Sequence, residues 1–178
     1  MKKASLYACL VLLLPLSGHT MDSDREQPIH VEADQLELRE KEGISIYEGN
    51  VKLVQGSLEI ESDRLVIHFN ANNELTLMEM TGKLATFRQL DNDQQPLYGE
   101  AEQIDYNESQ GLLIMRRSAY LDRAGDDIRS ELIRFNTATN GIEAGGEQSD
   151  DRVKMVIKPR SSANGGSAAD DASDASGQ

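Results

Sequence analysis

Apolar residues recur at every second position along most of this chain. Ile29, Val31 and Ala33 alternate with His30 and Glu32, and the spacing returns at Leu36 and Leu38, Ile44 and Ile46, Val51 and Leu53, Leu58 and Ile60, and Leu65, Ile67 and Phe69. It continues at Leu75 and Leu77, Ile104 and Tyr106, Leu112 and Ile114, and Val153, Met155 and Ile157, with Phe87 near Leu84 and Phe135 near Ile133. Successive side chains of an extended chain point to opposite faces, so this period predicts strands with one dry and one wet side. No stretch sustains an amphipathic helical face. Glu42-Gly43, Gly49-Asn50, Gln55-Gly56, Asn70 to Asn73, Asp91 to Pro96 and Ala124 to Asp127 interrupt the runs with residues suited to reversals and bulges. Short antiparallel strands at this density predict an all-β single domain, a sandwich, roll or barrel.

A weak repeat is superimposed on the strands. A small residue, an acid and an aliphatic recur in Ala33-Asp34-Gln35-Leu36, Ser62-Asp63-Arg64-Leu65, Ala101-Glu102-Gln103-Ile104 and Ser130-Glu131-Leu132-Ile133. Between them fall Gly49-Asn50-Val51, Gly82-Lys83-Leu84 and Ser118-Ala119-Tyr120, each a small residue ahead of an apolar one. One such unit cannot bury its dry face alone, which predicts a stack of strand pairs whose terminal strands keep open edges. Open edges can accept a strand from another chain.

The two ends read differently. Lys2 and Lys3, the apolar run Leu6 to Leu16, and Ser17, Gly18 and Thr20 make residues 1–20 an export signal cleaved before Met21. The run is too short to span a bilayer, which needs about 20 residues. Leu6 and Ala8 ahead of Cys9 resemble a lipoprotein cleavage box, but few apolar residues precede Cys9 and the run continues past it. Cys9 is the single cysteine, so a mature chain would hold together without disulfides. From Ser161 onward the chain is almost entirely Ser, Ala, Gly, Asp and Asn with no large apolar residue, so 160–178 is expected to stay disordered. The ordered domain is placed at 27–159.

Charge narrows the partners. The 178 residues carry 18 Lys and Arg against 31 Asp and Glu, a formal net charge of −13, and loss of the leader would remove two more positive charges. Nucleic acid is an unsuitable partner for such a surface, because affinity for it rests on cations that displace counterions. Arg116 and Arg117 form the densest local basic pair, a candidate contact for an anionic headgroup at a cleft rim, or simply solvated strand residues.

Catalytic equipment is sparse. His30 and His68 alternate with strand apolars and stand at no ligand spacing from each other or from Cys, no Gly-x-Ser-x-Gly elbow occurs, and no Gly-rich loop precedes a helix. The carboxylate pairs Glu59 with Glu61 and Glu100 with Glu102 share strand faces and would be the acid pair of a carbohydrate-active enzyme, or else part of a solvated sheet face. Asp91-Asn92-Asp93 begins like a calcium loop but lacks the downstream Gly and Glu, which makes it a polar turn. Asn107-Glu108-Ser109 matches a short glycosylation acceptor. No catalytic residue, metal site or cofactor is expected. Apolar chains entering a dry cleft would gain about 25 cal/mol per Å² removed from water, so the expected ligand is greasy or is another protein's strand.

Gln27-Pro28-Ile29-His30-Val31-Glu32-Ala33-Asp34-Gln35, Glu48-Gly49-Asn50-Val51 with Gln55-Gly56, Gly82-Lys83-Leu84-Ala85-Thr86-Phe87 and Ala119-Tyr120-Leu121, in this order, resemble the OstA-like family of lipopolysaccharide export proteins. The resemblance implies an antiparallel β-jellyroll, two facing sheets open at both ends, in a non-enzymatic periplasmic carrier. It implies a lipid held through its lipid A acyl chains by the apolar interior, and copies joined end to end between the inner-membrane LptB-F-G-C complex, met through LptC, and the outer-membrane LptD/LptE translocon. Ile29, Val31, Phe87 and Tyr106 match interior positions of the family; with the alternating Ala33, Val51, Leu53, Ile60, Leu65, Ile67 and Ile104 they form the candidate lipid lining. Ile29, His30 and Val31 at one end and Val153, Met155 and Ile157 at the other are the candidate partner edges. Where the family pattern has Gly-Asn ahead of Ala119, this chain has Arg117-Ser118, which leaves that turn's geometry open. A membrane-tethered bridge component of similar fold, LptC-like, is the alternative if Leu6 to Leu16 is retained as an anchor.

Overall fold

A computed structural model describes residues 24–91, 93–146 and 152–158; the expected leader 1–20 and tail 160–178 lie outside the described residues. The strands are β1 (His30–Glu32), β2 (Gln35–Arg39), β3 (Ile44–Gln55), β4 (Leu58–Phe69), β5 (Leu75–Leu90), β6 (Pro96–Asn107), β7 (Leu112–Arg123), β8 (Asp126–Asn136), β9 (Gly141–Ala144) and β10 (Lys154–Val156). A single turn of 3₁₀ helix, Glu40–Glu42, joins β2 to β3. All pairings are antiparallel, in the order β1-β3-β4-β5-β6-β7-β8-β10, with β2 also on β3 and β9 also on β8. The sheet does not close, and it is the expected all-β antiparallel jellyroll.

The two facing layers are halves of one sheet. Runs that read as separate short strands, such as Ile44 with Ile46 and Val51 with Leu53, are two halves of one long strand. Register shifts fall at Glu48/Val51, Glu61/Arg64, Thr81/Ala85, Glu100/Gln103 and Arg116/Ala119, at corresponding levels of successive strands. An irregularity of this kind bends a strand and can exchange its faces. In β4 the apolar residues of the interior cluster are Leu58 and Ile60 before the shift and Leu65 and Ile67 after it; in β5 they are Met78 and Met80, then Ala85 and Phe87. Both halves therefore turn their dry side to the same interior. The first leaf carries β1, β10 and core residues such as Leu53, Ile60, Phe87, Leu97 and Leu121, and the second carries β2, β9, Leu65, Met80, Ile104, Met115 and Phe135.

The sequence repeat sits on this bend. Asp34 lies where the first edge breaks between β1 and β2; its N–H donates to the Gly49 carbonyl at 2.9 Å and its carboxylate accepts from Asn50 Nδ2 at 2.8 Å. Gly49 has φ +79°, and a side chain there would collide with the Asp34 carboxylate. Asp63 likewise accepts the backbone N–H of Lys83 at 3.1 Å, and Glu102 accepts from Arg117 Nε at 3.0 Å. The acid of one motif thus grips the bulge of the other in the neighbouring strand. Arg117 and Ser118 adopt φ of 62° and 54°, so the left-handed turn survives without glycine.

Three strands bury the face opposite to the one the alternation suggested. Leu113 and Met115 are interior where Leu112 and Ile114 were expected, Met78 and Met80 replace Leu77, and Ile46 is buried on the outer side of the sheet with Val66. Leu112 to Met115 is apolar on both sides, and Leu77-Met78 and Ile46-Tyr47 set large side chains on opposite faces, so period two leaves the choice of face to register. Ala33 is exposed just past β1, because the chain leaves the first leaf at Asp34 to start β2 on the second.

The turn between β5 and β6 is closed by Asp91. Its buried carboxylate accepts the N–H groups of Asp93 and Gln95, both at 2.9 Å, and pairs with Arg123 Nη2 at 2.6 Å. Burial pushes this carboxyl up, but the Gln95 N–H, Arg123 and the Asp93 N–H outweigh it and hold it below its ordinary value. A folded value below the unfolded one means that the stabilisation is present above about pH 4 and is lost as pH falls through the folded value. Asp91→Asn should cost about 1–3 kcal/mol in urea unfolding at pH 7, and the gap to wild type should narrow progressively below about pH 4.

Candidate functional site: the slot between the leaves

The leaves meet over an apolar slot. Leu58, Ile60, Phe87 and Leu97 face it from the first leaf, and Leu75, Met78, Met80, Tyr106 and Leu113 from the second. Its free volume is about 50 Å³, against the roughly 300–1,000 Å³ of sites that enclose small ligands. The middle of the roll is packed shut, and only separation of the leaves would make room there for a ligand. At the C-terminal end they already diverge. A concavity of about 660 Å³ there is lined by Leu121, Ile128, Ile142 and Met155 together with the polar Asp93, Gln95, Arg123 and Asp126.

Gly99 sets how closely the leaves approach. A Cβ there would lie 2.8 Å from Phe87 Cζ on the neighbouring strand and 2.9 Å from Met115 Cε on the opposite leaf. The Phe87 ring occupies the space a side chain would fill, and Met115 closes over it.

Most of the expected lining is interior. Val51, Leu53, Ile60, Leu65, Ile67, Phe87 and Ile104 belong to the core, with Ile29, Val31 and Tyr106 packed against it half-buried, while Ala33 stands outside. Residues that alternation missed complete the slot: Met78, Met80, Leu97 and Leu113, and at its mouth Asp24 and Arg25. Leu97 follows Pro96 at the end of a turn and has no apolar neighbour two residues on, so nothing in the pattern marked it.

Both expected edges are present at the margins. Val31 pairs with Leu53 on the inner face while His30 and Glu32 point outward. At the other end Met155 pairs with Ile128 on the inner face, and Val153, Met155 and Ile157 are 44%, 52% and 68% exposed. Leu36 and Leu38 of β2 are also exposed and pair with Tyr47 and Ser45. Each end therefore carries apolar surface.

The polar candidates lie elsewhere and are engaged. Glu59 is on the outer face, 2.8 Å from Lys52 Nζ, whose hydrogen bond and charge hold its carboxyl below the usual range, the opposite of what a general acid needs. Glu100 accepts the Tyr98 hydroxyl at 2.9 Å; burial first, then this carboxylate, pushes the phenol up. His68 contacts Glu79 at 2.7 Å, Arg116 pairs with Asp105, and Arg117 with Glu102, so the two arginines are committed to neighbouring acids. Among the described residues no group of three His, Cys, Asp or Glu could hold a metal ion.

Residues 30–141 match the family described as LptA/(LptD N-terminal domain) LPS transport protein. The lipopolysaccharide export system protein LptH of Pseudomonas aeruginosa is 31% identical over 169 residues, covering 90% of this chain and 91% of that protein. LptA of Escherichia coli K12 is 26% identical over 153 residues, 85% of this chain and 82% of that one. The crystal structure of LptH, described as the LptA-homologous periplasmic component of the lipopolysaccharide transport device, superposes with a TM-score of 0.69 at 30% identity, covering 77% of this chain and 99% of that chain.

Overpacking at the closest approach of the leaves should be costly. Gly99→Val is expected to lower stability by about 1–3 kcal/mol in urea unfolding, and Phe87→Leu should recover part of the loss by vacating the space the new methyls need.

Proposed function

The chain belongs to the LptA/LptD N-terminal domain family of lipopolysaccharide transport proteins, and from that premise we propose that it carries lipopolysaccharide through the periplasm with the lipid A acyl chains between its two leaves. The observation that carries this reading is a continuous apolar interior, shared by two leaves joined along one bent row and already diverging at one end. Each methylene moved from water to that interior contributes about 0.8 kcal/mol, enough for a long chain to offset separation of packed leaves. The sugars stay in water. No step of the reading requires bond chemistry, and energy for movement comes from partners.

End-to-end assembly supports passage between membranes. The first edge presents β1 and β2, the last presents β9 and β10, and docking the last edge of one copy on the first edge of the next would prolong both leaves and cover Val153, Met155 and Ile157. Three-residue strands such as β1 and β10 offer few free backbone groups, so such contacts are expected to form and dissolve readily. In this reading LptC at the inner membrane and the LptD/LptE translocon at the outer membrane occupy the terminal edges. On the same reading residues 1–20 are removed on export, residues 27–159 form the domain with Asp24 and Arg25 attached ahead of it, and 160–178 are an acidic tail. Among the described residues no helix is long and apolar enough to cross a membrane.

Val31→Asp places a carboxylate beside Leu53 at the first edge. With a photocrosslinker in the neighbouring β3, lipopolysaccharide adducts should fall several-fold while export of the protein is unchanged; undiminished adducts would contradict the reading. Met155→Asp should weaken concentration-dependent self-association in sedimentation velocity, with little effect on crosslinking within one copy.

A further inference from the structure

The free tips of the leaves, opposite the bend, are tied together by the segment ahead of β1. Asp24 is anchored on the first leaf. Its carboxylate, 2% exposed, accepts the Ser57 N–H at 2.8 Å, the Ser57 hydroxyl at 2.6 Å and Gln89 Nε2 at 3.0 Å. The seat is shaped for it: Gly56 has φ +59°, and a side chain there would collide with this carboxylate. Gln55 Nε2 adds bonds to the carbonyls of Arg25 at 3.3 Å and Gln27 at 3.1 Å.

Arg25 crosses to the second leaf. Its guanidinium lies 2.8 Å from Glu108 Oε1 and donates to the Tyr106 hydroxyl at 3.0 Å. Both residues belong to the far end of the second leaf, and Asp24, Arg25, Tyr106 and Glu108 all border the closed slot. The two attachments differ in strength. Asp24 is dry and triply bonded, whereas the Arg25 and Glu108 side chains are 43% and 23% exposed, in a setting where an ion pair is screened by salt. One end of the segment is fixed and the other is releasable.

We infer that Asp24 and Arg25 form a clasp that holds the mouth of the slot shut, and that hydrocarbon enters sideways, between the leaf tips, when Arg25 lets go of Tyr106 and Glu108. This rests on the carrier reading above and adds the route and its restraint. Tyr106 couples the two events, since it lines the slot and holds the clasp: a chain that displaces its ring removes one partner of Arg25.

The test uses the exported protein, which loses Cys9 with its leader, carrying spin labels at Arg88→Cys on the first leaf and Gln110→Cys at the tip of the second. Tip separation is read by electron–electron double resonance, and entry by the uptake rate of a fluorescent twelve-carbon fatty acid. Wild type should show one narrow distance distribution. Arg25→Glu should add a longer population and speed uptake about three- to tenfold, and Arg25→Glu with Glu108→Arg should restore both. Added salt should speed uptake by wild type, and Arg25→Gln, a milder change, should speed uptake and remove that response. Unchanged distances and rates in variants that keep their sheet signal would overturn the clasp, as would loss of the sheet signal in both Arg25 variants, which would make Arg25 a fixed part of the fold. If the tips part in the variants but neither they nor wild type take up fatty acid, the clasp stands and the carrier reading fails.

Discussion

The structure depends on a single row of bulges. Every long strand from β3 to β7 changes register near its middle, and because the row is shared, one sheet becomes two leaves around one core. A flat sheet of this length would leave one apolar face in water over its whole extent. Bending lets that face cover itself, which is how a chain whose only cysteine is Cys9 reaches a packed interior. The acids Asp34, Asp63 and Glu102 hold the row in place from the neighbouring strand.

A fold closed in this way is only partly closed. Side chains interlock between the leaves at Gly99, Phe87 and Met115, but among the described residues the ladder that joins the leaves runs along the bend. The opposite margins are free to separate at the cost of interior contacts and of whatever bridges the tips. In the proposed reading, separation along the tips would convert this core into a conduit while leaving the ladder pairs along the bend intact. Binding and stability therefore draw on the same residues. Substitutions that tighten the interior should hinder entry, and those that loosen it should lower the melting temperature.

Much of this was legible beforehand. Period two gave the strands, and the small-acid-aliphatic motif marked where they bend, although the motif read as stacked pairs until the partnership of Asp34 with Gly49 and of Asp63 with Lys83 was visible. The resemblance to the OstA-like family supplied the jellyroll and pointed to Phe87 and Tyr106. Face assignment failed where both sides of a strand are apolar: in Leu112 to Met115 every residue is apolar, and only pairing with β6 and β8 decides that Leu113 and Met115 go inside. Asp24 and Arg25 carry no pattern at all, because their roles come from residues 33 to 83 positions away in the chain.

The claim that matters most is that the ligand lies between the leaves. Methyl-labelled methionines report on it directly, since Met78, Met80 and Met115 are buried in the interior and Met155 is exposed at the last edge. Titration with lipopolysaccharide should shift the Met78, Met80 and Met115 methyl resonances in parallel and to saturation. Shifts confined to Met155, with the three interior methyls unmoved at saturation, would place the lipid on the outside and contradict it.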